Sequence, residues 1–255
     1  MNLLMPGDLA AKYRNPSQQI RAVSEAWGGK NIYCPNCPTP VLSPTRTGAQ
    51  VVDFVCPHCS LSFQLKSQKS KLGKRINDGA YKSMMEFILG GRTPHFYFLH
   101  YDRPSWTVRD LLFIPNFAFP PSAIIKRNPL KPTAERAGWI GCVISLQHIP
   151  AEARIPIVAN GNVTPVEEVR DRFKHLKPLE SIDKKERGWT LDVLRVVQSL
   201  GKQQFTNDDV YASAPELQKL HPNNRHVIPK IRQQLQVLRD RGFLTQVERG
   251  VWAVK

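Results

Sequence analysis

Asp53, Gln64 and Lys66 follow one another as an acid, an amide and a lysine, with ten residues between the first two and one between the last two. Asp53 could hold Mg²⁺ through oxygen, the ligand atom that this hard cation prefers, and Gln64 could offer its amide oxygen to the same ion. Lys66 could orient or deprotonate an attacking water and neutralise the charge developing on a phosphorane. That is the chemistry of a metal-dependent phosphodiesterase. Taken alone, the spacing recurs often by chance. It gains weight from the two cysteine pairs around it, Cys34-Pro35-Asn36-Cys37 and Cys56-Pro57-His58-Cys59. Each C-x2-C loop lets two thiolates converge on one face of a tetrahedral zinc ion, and the gap between the pairs suits a structural site. Four thiolates fill the tetrahedron, so this zinc holds the fold and catalysis needs a second metal.

The elements that must position these groups form a hairpin. Residues 51–55 read as a strand, 56–59 as a tight turn and 62–66 as the returning strand. Side chains alternate along a strand, so Gln64 and Lys66 share one face while Phe63 and Leu65 share the other. A helix is expected over 17–26, with Ile20, Val23 and Trp27 on one stripe. Glu25 on that helix is a candidate extra carboxylate, with an ordinary solvated glutamate as the competing reading. Asn77-Asp78-Gly79 reads as a turn or cap before a helix over 80–89 that Gly90-Gly91 stops. The apolar runs 96–101 and 111–115 read as strands buried on both faces. Strands flanked by helices give a mixed α/β layer for the first part of the chain. Residues 116–132 are proline-rich and read as a structured loop.

The chain has 255 residues, a formal net charge of +15 and a sequence pI near 9.8, which favours a polyanionic partner. Residues 181–255 hold 13 of the 36 basic and 8 of the 21 acidic side chains, so both parts of the chain are basic. No apolar run is long enough to span a bilayer, and no secretory segment is expected at the start. Cys142, the fifth cysteine, reads as a buried reduced thiol, and a reducing cytoplasm suits thiolates held on zinc better than disulfides.

The charged stretch 174–187 lacks apolar periodicity, and the domain boundary is placed there, giving domains 1–180 and 181–255. Thr190 is expected to cap a helix carrying Leu191, Leu194, Val197 and Leu200. Thr206 is expected to cap a second helix, with Asp209 facing the helix dipole and Phe205 and Val210 as a hydrophobic staple. A third helix is expected to carry Ile228, Ile231, Leu235 and Leu238 and to end at Gly242. Pro229 requires that it begin near 226–228, since proline is tolerated in a first turn. A hairpin over 243–254 completes a winged helix, with the third helix available for the major groove.

These residues and their order resemble the DpnI-like family of methyl-directed type II restriction endonucleases over nearly the full length. The segments carrying the likeness include Tyr33-Cys34-Pro35-Asn36-Cys37, Asp53-Phe54 and Leu65-Lys66-Ser67. Others are Ile76-Asn77-Asp78-Gly79-Ala80-Tyr81, Arg136-Ala137-Gly138-Trp139-Ile140-Gly141-Cys142, Arg187-Gly188-Trp189-Thr190 and Lys230-Ile231-Arg232-Gln233-Gln234-Leu235-Gln236. The resemblance implies a PD-(D/E)xK nuclease domain with a four-cysteine zinc site, followed by a winged helix. It implies double-strand cleavage within G-A-T-C when the adenine is N6-methylated. Val52 stands where the motif has proline, and Gln64 replaces the usual acid, which removes a negative charge and should lower metal affinity.

Candidate DNA readers are Asn223, Asn224, Arg225 and His226 at the entrance of the third helix, and Arg232, Gln233 and Gln236 off its apolar stripe. Arginine suits guanine, and asparagine or glutamine suits adenine. Arg249 in the hairpin turn, with Arg136, Lys126 and Lys131, would hold phosphates. Trp139 could present its indole to the methyl groups, against the competing reading of a core tryptophan. The partner is double-stranded DNA methylated at adenine. A palindromic site suits a dimer, yet two reading domains allow a monomer, the slightly favoured state, to cut the strands in turn. Two rivals stand beside this reading: a non-catalytic zinc and winged-helix regulator, and a nuclease of the same fold without methyl dependence.

Overall fold

The computed structural model describes residues 1–45 and 51–255. Its chain groups into two compact units that share the sequence in alternating segments. The first holds Met1–Gly73, Thr93–Asn116 and Glu152–His175; the second holds Lys74–Arg92, Phe117–Ala151 and Leu176–Lys255.

The first unit is built on a seven-stranded mixed sheet. Its middle strands are Ser62–Gln68, His95–Asp102, Thr107–Ile114 and Ile155–Ala159, in that spatial order. Ser62–Gln68 runs parallel to His95–Asp102, pairing Gln64 with Phe96 and Lys66 with Phe98. Parallel neighbours need a crossover, and here residues 74–92 supply it. The strand His95–Asp102 is buried almost throughout, as its dense apolar run requires, whereas Thr107–Ile114 exposes Arg109 and alternates. Phe63, His95, Phe113 and Phe173 pack with ring centroids 5.3–6.4 Å apart, fixing the helix Val166–Leu176 to one sheet face through Phe173.

The helix expected over 17–26 runs longer, Pro16–Asn31, with Asn15 capping through a 2.8 Å bond from the Ser17 N–H. Val23 and Trp27 are buried on it, and Gly28 lies against the Phe54 ring, where an added Cβ would stand 2.7 Å from Cζ. The strand expected over 51–55 is shorter than its pattern suggested. Only Phe54–Val55 pairs as a strand, and the run opens on Val51 at a left-handed φ of 72°.

The second unit contains a three-stranded antiparallel sheet with Gly141–Ser145 at its centre, between Arg75–Ala80 and Ile124–Lys126. Asn77-Asp78-Gly79 is therefore strand and not a turn. Its turn-forming composition marks a β-bulge between Asp78 and Ala80, after which the helix Tyr81–Gly90 starts directly. Gly91 ends that helix at φ 62°.

The winged helix completes this unit. Its helices are Lys184–Ser199, Asn207–Tyr211, Ala214–Leu220 and Val227–Asp240, and its sheet orders Gln204–Thr206, Val251–Val254 and Leu244–Glu248. The first helix starts at Lys184, well before the expected cap, and is capped by Asp183, whose carboxylate accepts from the Lys185 N–H at 2.9 Å. Thr190 is fully buried inside the helix and donates to Gln234 Oε1 at 2.6 Å. The charged run is helical there: Lys184 and Lys185 are exposed, while Arg187 turns back to the Glu180 and Ile182 carbonyls. Thr206 does cap the second helix in a full capping box with Asp209. Ala214–Leu220 is a helix beyond the three expected, and the last helix, the one expected as third, buries Val227, Ile231, Gln234, Leu235 and Leu238, but Ile228 is 41% exposed. Its apolar stripe is thus rotated by one position at the first turn.

Inside the second unit the first winged-helix segment is tied to residues far upstream. Ser122 Oγ donates to the buried Asp192 at 2.7 Å, the Ala151 N–H donates to Gln198 at 2.6 Å, and Lys184 Nζ reaches the Gly90 carbonyl at 2.9 Å.

Candidate functional site: a cysteine-clipped hairpin and a helix-turn-helix

The cysteines converge from two loops. Cys34 and Cys37 follow the helix Pro16–Asn31, and Cys56 and Cys59 form the turn between Phe54–Val55 and Ser62–Gln68. Cys37 and Cys56 lie 3.4 Å apart, Cys34 and Cys59 3.6 Å apart, and all four sulfurs fall within 4.8 Å of one another. A Zn–S bond near 2.3 Å makes the edge of a thiolate tetrahedron about 3.8 Å, so the four could hold a structural metal such as zinc. The knuckle is formed by backbone: the Cys56 N–H bonds the Leu61 carbonyl at 2.9 Å, and the Cys59 N–H points at the Cys56 sulfur at 3.5 Å. Burial drives the Cys34 thiol well above its ordinary value. Burial also raises Cys56, but the N–H groups of Cys59 and His58 and the Thr39 hydroxyl outweigh it and bring that thiol down to about 6.

Asp53 is pinned beside this clip. Its N–H bonds the Phe63 carbonyl and its carbonyl accepts from the Thr45 N–H, both at 2.9 Å, while Oδ2 accepts from the Leu65 N–H at 2.8 Å. Phe54 pairs with Phe63 across the hairpin, and Asp53, just before it, bonds the backbone of both Phe63 and Leu65, which brings it beside the strand that carries Gln64 and Lys66. Burial raises the Asp53 carboxyl above the usual range, and the charge of Glu25 raises it further. Arg21 and Lys66 act in the opposite sense, as does the Leu65 N–H. Glu25, Arg21 and Lys66 therefore all lie within electrostatic reach of Asp53. Arg21 and Glu25 are themselves paired at 2.6 Å one helical turn apart. The candidate carboxylate Glu25 is brought to the hairpin by the helix, and Arg21, absent from the sequence reading, comes with it. An i, i+4 spacing to Glu25 was the signal that could have found it.

The remaining candidates fall in the second unit. Trp139 is half-buried, its ring lying over Gly141, where a Cβ would stand 2.8 Å from it. The Arg136 guanidinium sits 4.7 Å from the same ring, so the two candidates form one cation–π pair. Lys126 lies 5.8 Å from the Tyr81 ring, and Lys131 is exposed. Arg225, His226, Arg232, Gln233, Gln236 and Arg249 are exposed, as is Asn223. Asn224 has a defined local task, accepting the His226 N–H at 2.7 Å as the last helix begins. Asn223, Arg225 and His226 line a groove of about 630 Å³ with Trp189 and His221, whose rings stack at 3.9 Å. His221 Nε2 lies 2.8 Å from the buried Asp192, which thus ties the groove loop to Ser122. No sequence signal marks Asp192, because its partners lie 29 and 70 residues away.

Among the described residues no helix is long and apolar enough to cross a membrane. Residues 1–182 match the family described as DpnI, the Dam-replacing family, and residues 185–253 match the Dam-replacing helix-turn-helix domain DpnI_C. With the cysteine cluster in the first stretch and the winged helix in the second, the chain belongs to the Dam-replacing DpnI family of methyl-directed restriction proteins.

Proposed function

We propose that this protein is a Mg²⁺-dependent endonuclease that makes double-strand breaks in DNA at G-A-T-C carrying N6-methyladenine, with a PD-(D/E)xK-type site at Asp53, Gln64 and Lys66. The observation that carries the reading is the convergence of Asp53, Glu25 and Lys66 beside a four-cysteine clip in a chain of this family. Burial and a neighbouring carboxylate both disfavour the ionised Asp53, an electrostatic debt that a cation beside it would relieve. Asp53, Gln64 and Glu25 supply the oxygens that suit Mg²⁺, which would polarise the scissile phosphodiester and acidify a bound water. Lys66 would orient the attacking water and offer its ammonium to the charge gathering on the phosphorane. The water oxygen would bond phosphorus and release its proton to solvent as the bridging P–O bond breaks, and the departing alkoxide would take up a proton from solvent. The Leu65 N–H holds Asp53 in place through this step.

Residues 1–180 would act as the cutting domain and 181–255 as a second reader. Burying one methyl group stabilises by about 0.8 kcal/mol, roughly a fourfold preference. Two methyl groups give about fifteenfold if additive, and two reading domains multiply that discrimination. Asn223, Arg225, His226, Arg232, Gln233, Gln236 and Arg249 form the proposed second reading surface, with Trp139 and Arg136 reading in the first. Action on cellular DNA places the protein in the cytoplasm.

The test is cleavage of plasmid prepared with and without adenine methylation, in Mg²⁺ or EDTA. Cutting of methylated DNA alone, and only with Mg²⁺, is the expected result. Equal cutting of both would make it a nuclease without methyl dependence, and no cutting of either a DNA-binding regulator. Truncation after Ser181 is a poor test of the second reader, because it removes Asp192, Gln198 and Lys184 from their partners at Ser122, Ala151 and Gly90. Surface substitutions on the last helix avoid that damage.

A further inference from the structure

The last helix has an exposed face that changes character along its length. Beyond the first turn it presents Arg232, Gln233 and Gln236, while its first turn presents only Ile228 and Pro229. Ile228 is 41% exposed although its neighbours Val227 and Ile231 are buried, so the core is closed without it. At 100° per residue, Ile228, Arg232 and Gln236 fall on one stripe, with Arg225 just before it.

Which stripe faces outward is fixed from behind. Gln234 is fully buried and links Thr190 at 2.6 Å to Glu186 at 3.2 Å, and Glu186 also pairs with Lys230. These bonds join the first and last helices of the winged helix and set the rotation of the latter about its axis. Pro229 stiffens the same turn at no hydrogen-bonding cost, since the N–H groups of a first turn have no intrahelical partner. Ile228 is thus held out to solvent on a rigid turn.

From this placement we propose that Ile228 is the specificity-determining contact of the winged helix for the N6-methyl group of adenine, an inference that rests on the reading of this domain as a methyl-dependent DNA binder. An amide side chain reads ordinary adenine through N7 and the N6 donor. A methyl group on N6 takes the place of the hydrogen that points into the major groove, so an amide there loses its donor. An apolar side chain gains what the amide loses. Helix-turn-helix domains put the first residues of this helix against base edges, which is where Ile228 stands. Arg225 and Arg232 on either side supply the positive charge for the backbone and for guanine.

The experiment measures equilibrium binding of the full chain in EDTA to duplexes with one G-A-T-C site. Three are compared: methylated at adenine, unmethylated, and methylated with deoxyuridine replacing the thymines. Wild type should prefer the methylated duplex. Ile228→Ala should weaken binding to both methylated duplexes about fourfold and leave the unmethylated one within about twofold, as expected for one lost methyl contact. Ile228→Val should stay close to wild type, and unchanged melting of both variants excludes misfolding as the cause. If Ile228→Ala weakens binding only where thymine is present, the side chain touches the thymine methyl and the proposal falls. Equal weakening on methylated and unmethylated DNA, or no change on any duplex, also overturns it. Wild type without methyl preference would sink the underlying reading as well, and that outcome is visible before any variant is made.

Discussion

The hairpin bearing Asp53, Gln64 and Lys66 and the helix bearing Arg232 and Gln236 present functional groups from opposite kinds of support. On one side of the hairpin only Phe54 and Val55 pair as strand, and the turn is a cysteine knuckle with four sulfurs inside 4.8 Å. The helix instead rests on Val227, Ile231, Leu235 and Leu238, all buried, with a polar lock at Gln234. A chain can thus hold one site by coordinating an ion and another by burying apolar surface. The first is all or none in the ion, and the second degrades residue by residue.

The sharpest way to break this contrast is to remove the clip. Structural zinc in zinc-finger peptides is bound with about 10–16 kcal/mol of apparent free energy, which there is folding free energy. One zinc per chain is expected by mass spectrometry. Cys56→Ser or a strong chelator should abolish cleavage and strip amide-exchange protection from residues 54–66, while residues 227–240 keep theirs. Loss of protection in both regions would mean that the contrast is false.

Next in size is the hairpin chemistry. Lys66→Ala should lower the cleavage rate about 10²–10³-fold, as removal of one transition-state donor does elsewhere. Binding of the methylated duplex in EDTA should change less than about twofold. Gln64→Glu acts in the other direction and sharpens the comparison, because it adds charge without touching the clip. A further carboxylate about 4 Å from the cation is worth at least about 1 kcal/mol, so the Mg²⁺ needed for half-maximal rate should fall about fivefold or more. An unchanged Mg²⁺ requirement would remove Gln64 from the metal site.

Much of the hairpin could be read from the sequence because its signals are local. The C-x2-C spacing, the alternation at 62–66 and the turn between them needed no distant partner. The family likeness was also carried by short segments. What escaped the sequence was set at long range or by competing local cues. Thr190 has the side chain of a helix cap, yet its hydroxyl serves Gln234, 44 residues on. Asn77-Asp78-Gly79 has turn composition, but pairing with Gly141–Ser145 makes it a bulged strand. Ile228 fits an i, i+3, i+7 stripe in the sequence, but the helix buries Val227 in its place, with Gln234 locked to Thr190 on the buried side. Asp53 was legible as an acid, whereas its approach to Glu25 and Arg21 depends on how the first helix lies on the sheet.

The smallest effect concerns the winged helix, where stability should erode by increments. Thr206→Ala removes a cap and should cost about 1 kcal/mol in denaturant melts, with the melt still cooperative. The partner in that capping box, Asp209, titrates abnormally. Lys202 Nζ at 2.7 Å and the Thr206 N–H at 2.7 Å hold its carboxyl down to about 2. A carboxyl depressed in the folded state stabilises above its ordinary value, and that contribution is lost as pH falls from about 4 through about 2. The group is open to solvent, so salt should screen the Lys202 share while leaving the backbone bond. A carbon-detected titration of the full chain should therefore place the Asp209 midpoint near 2 in low salt and somewhat higher in concentrated salt. Lys202→Ala should raise it further toward the ordinary value and remove the salt dependence. A midpoint near 4 in wild type would show that the box is not closed in solution.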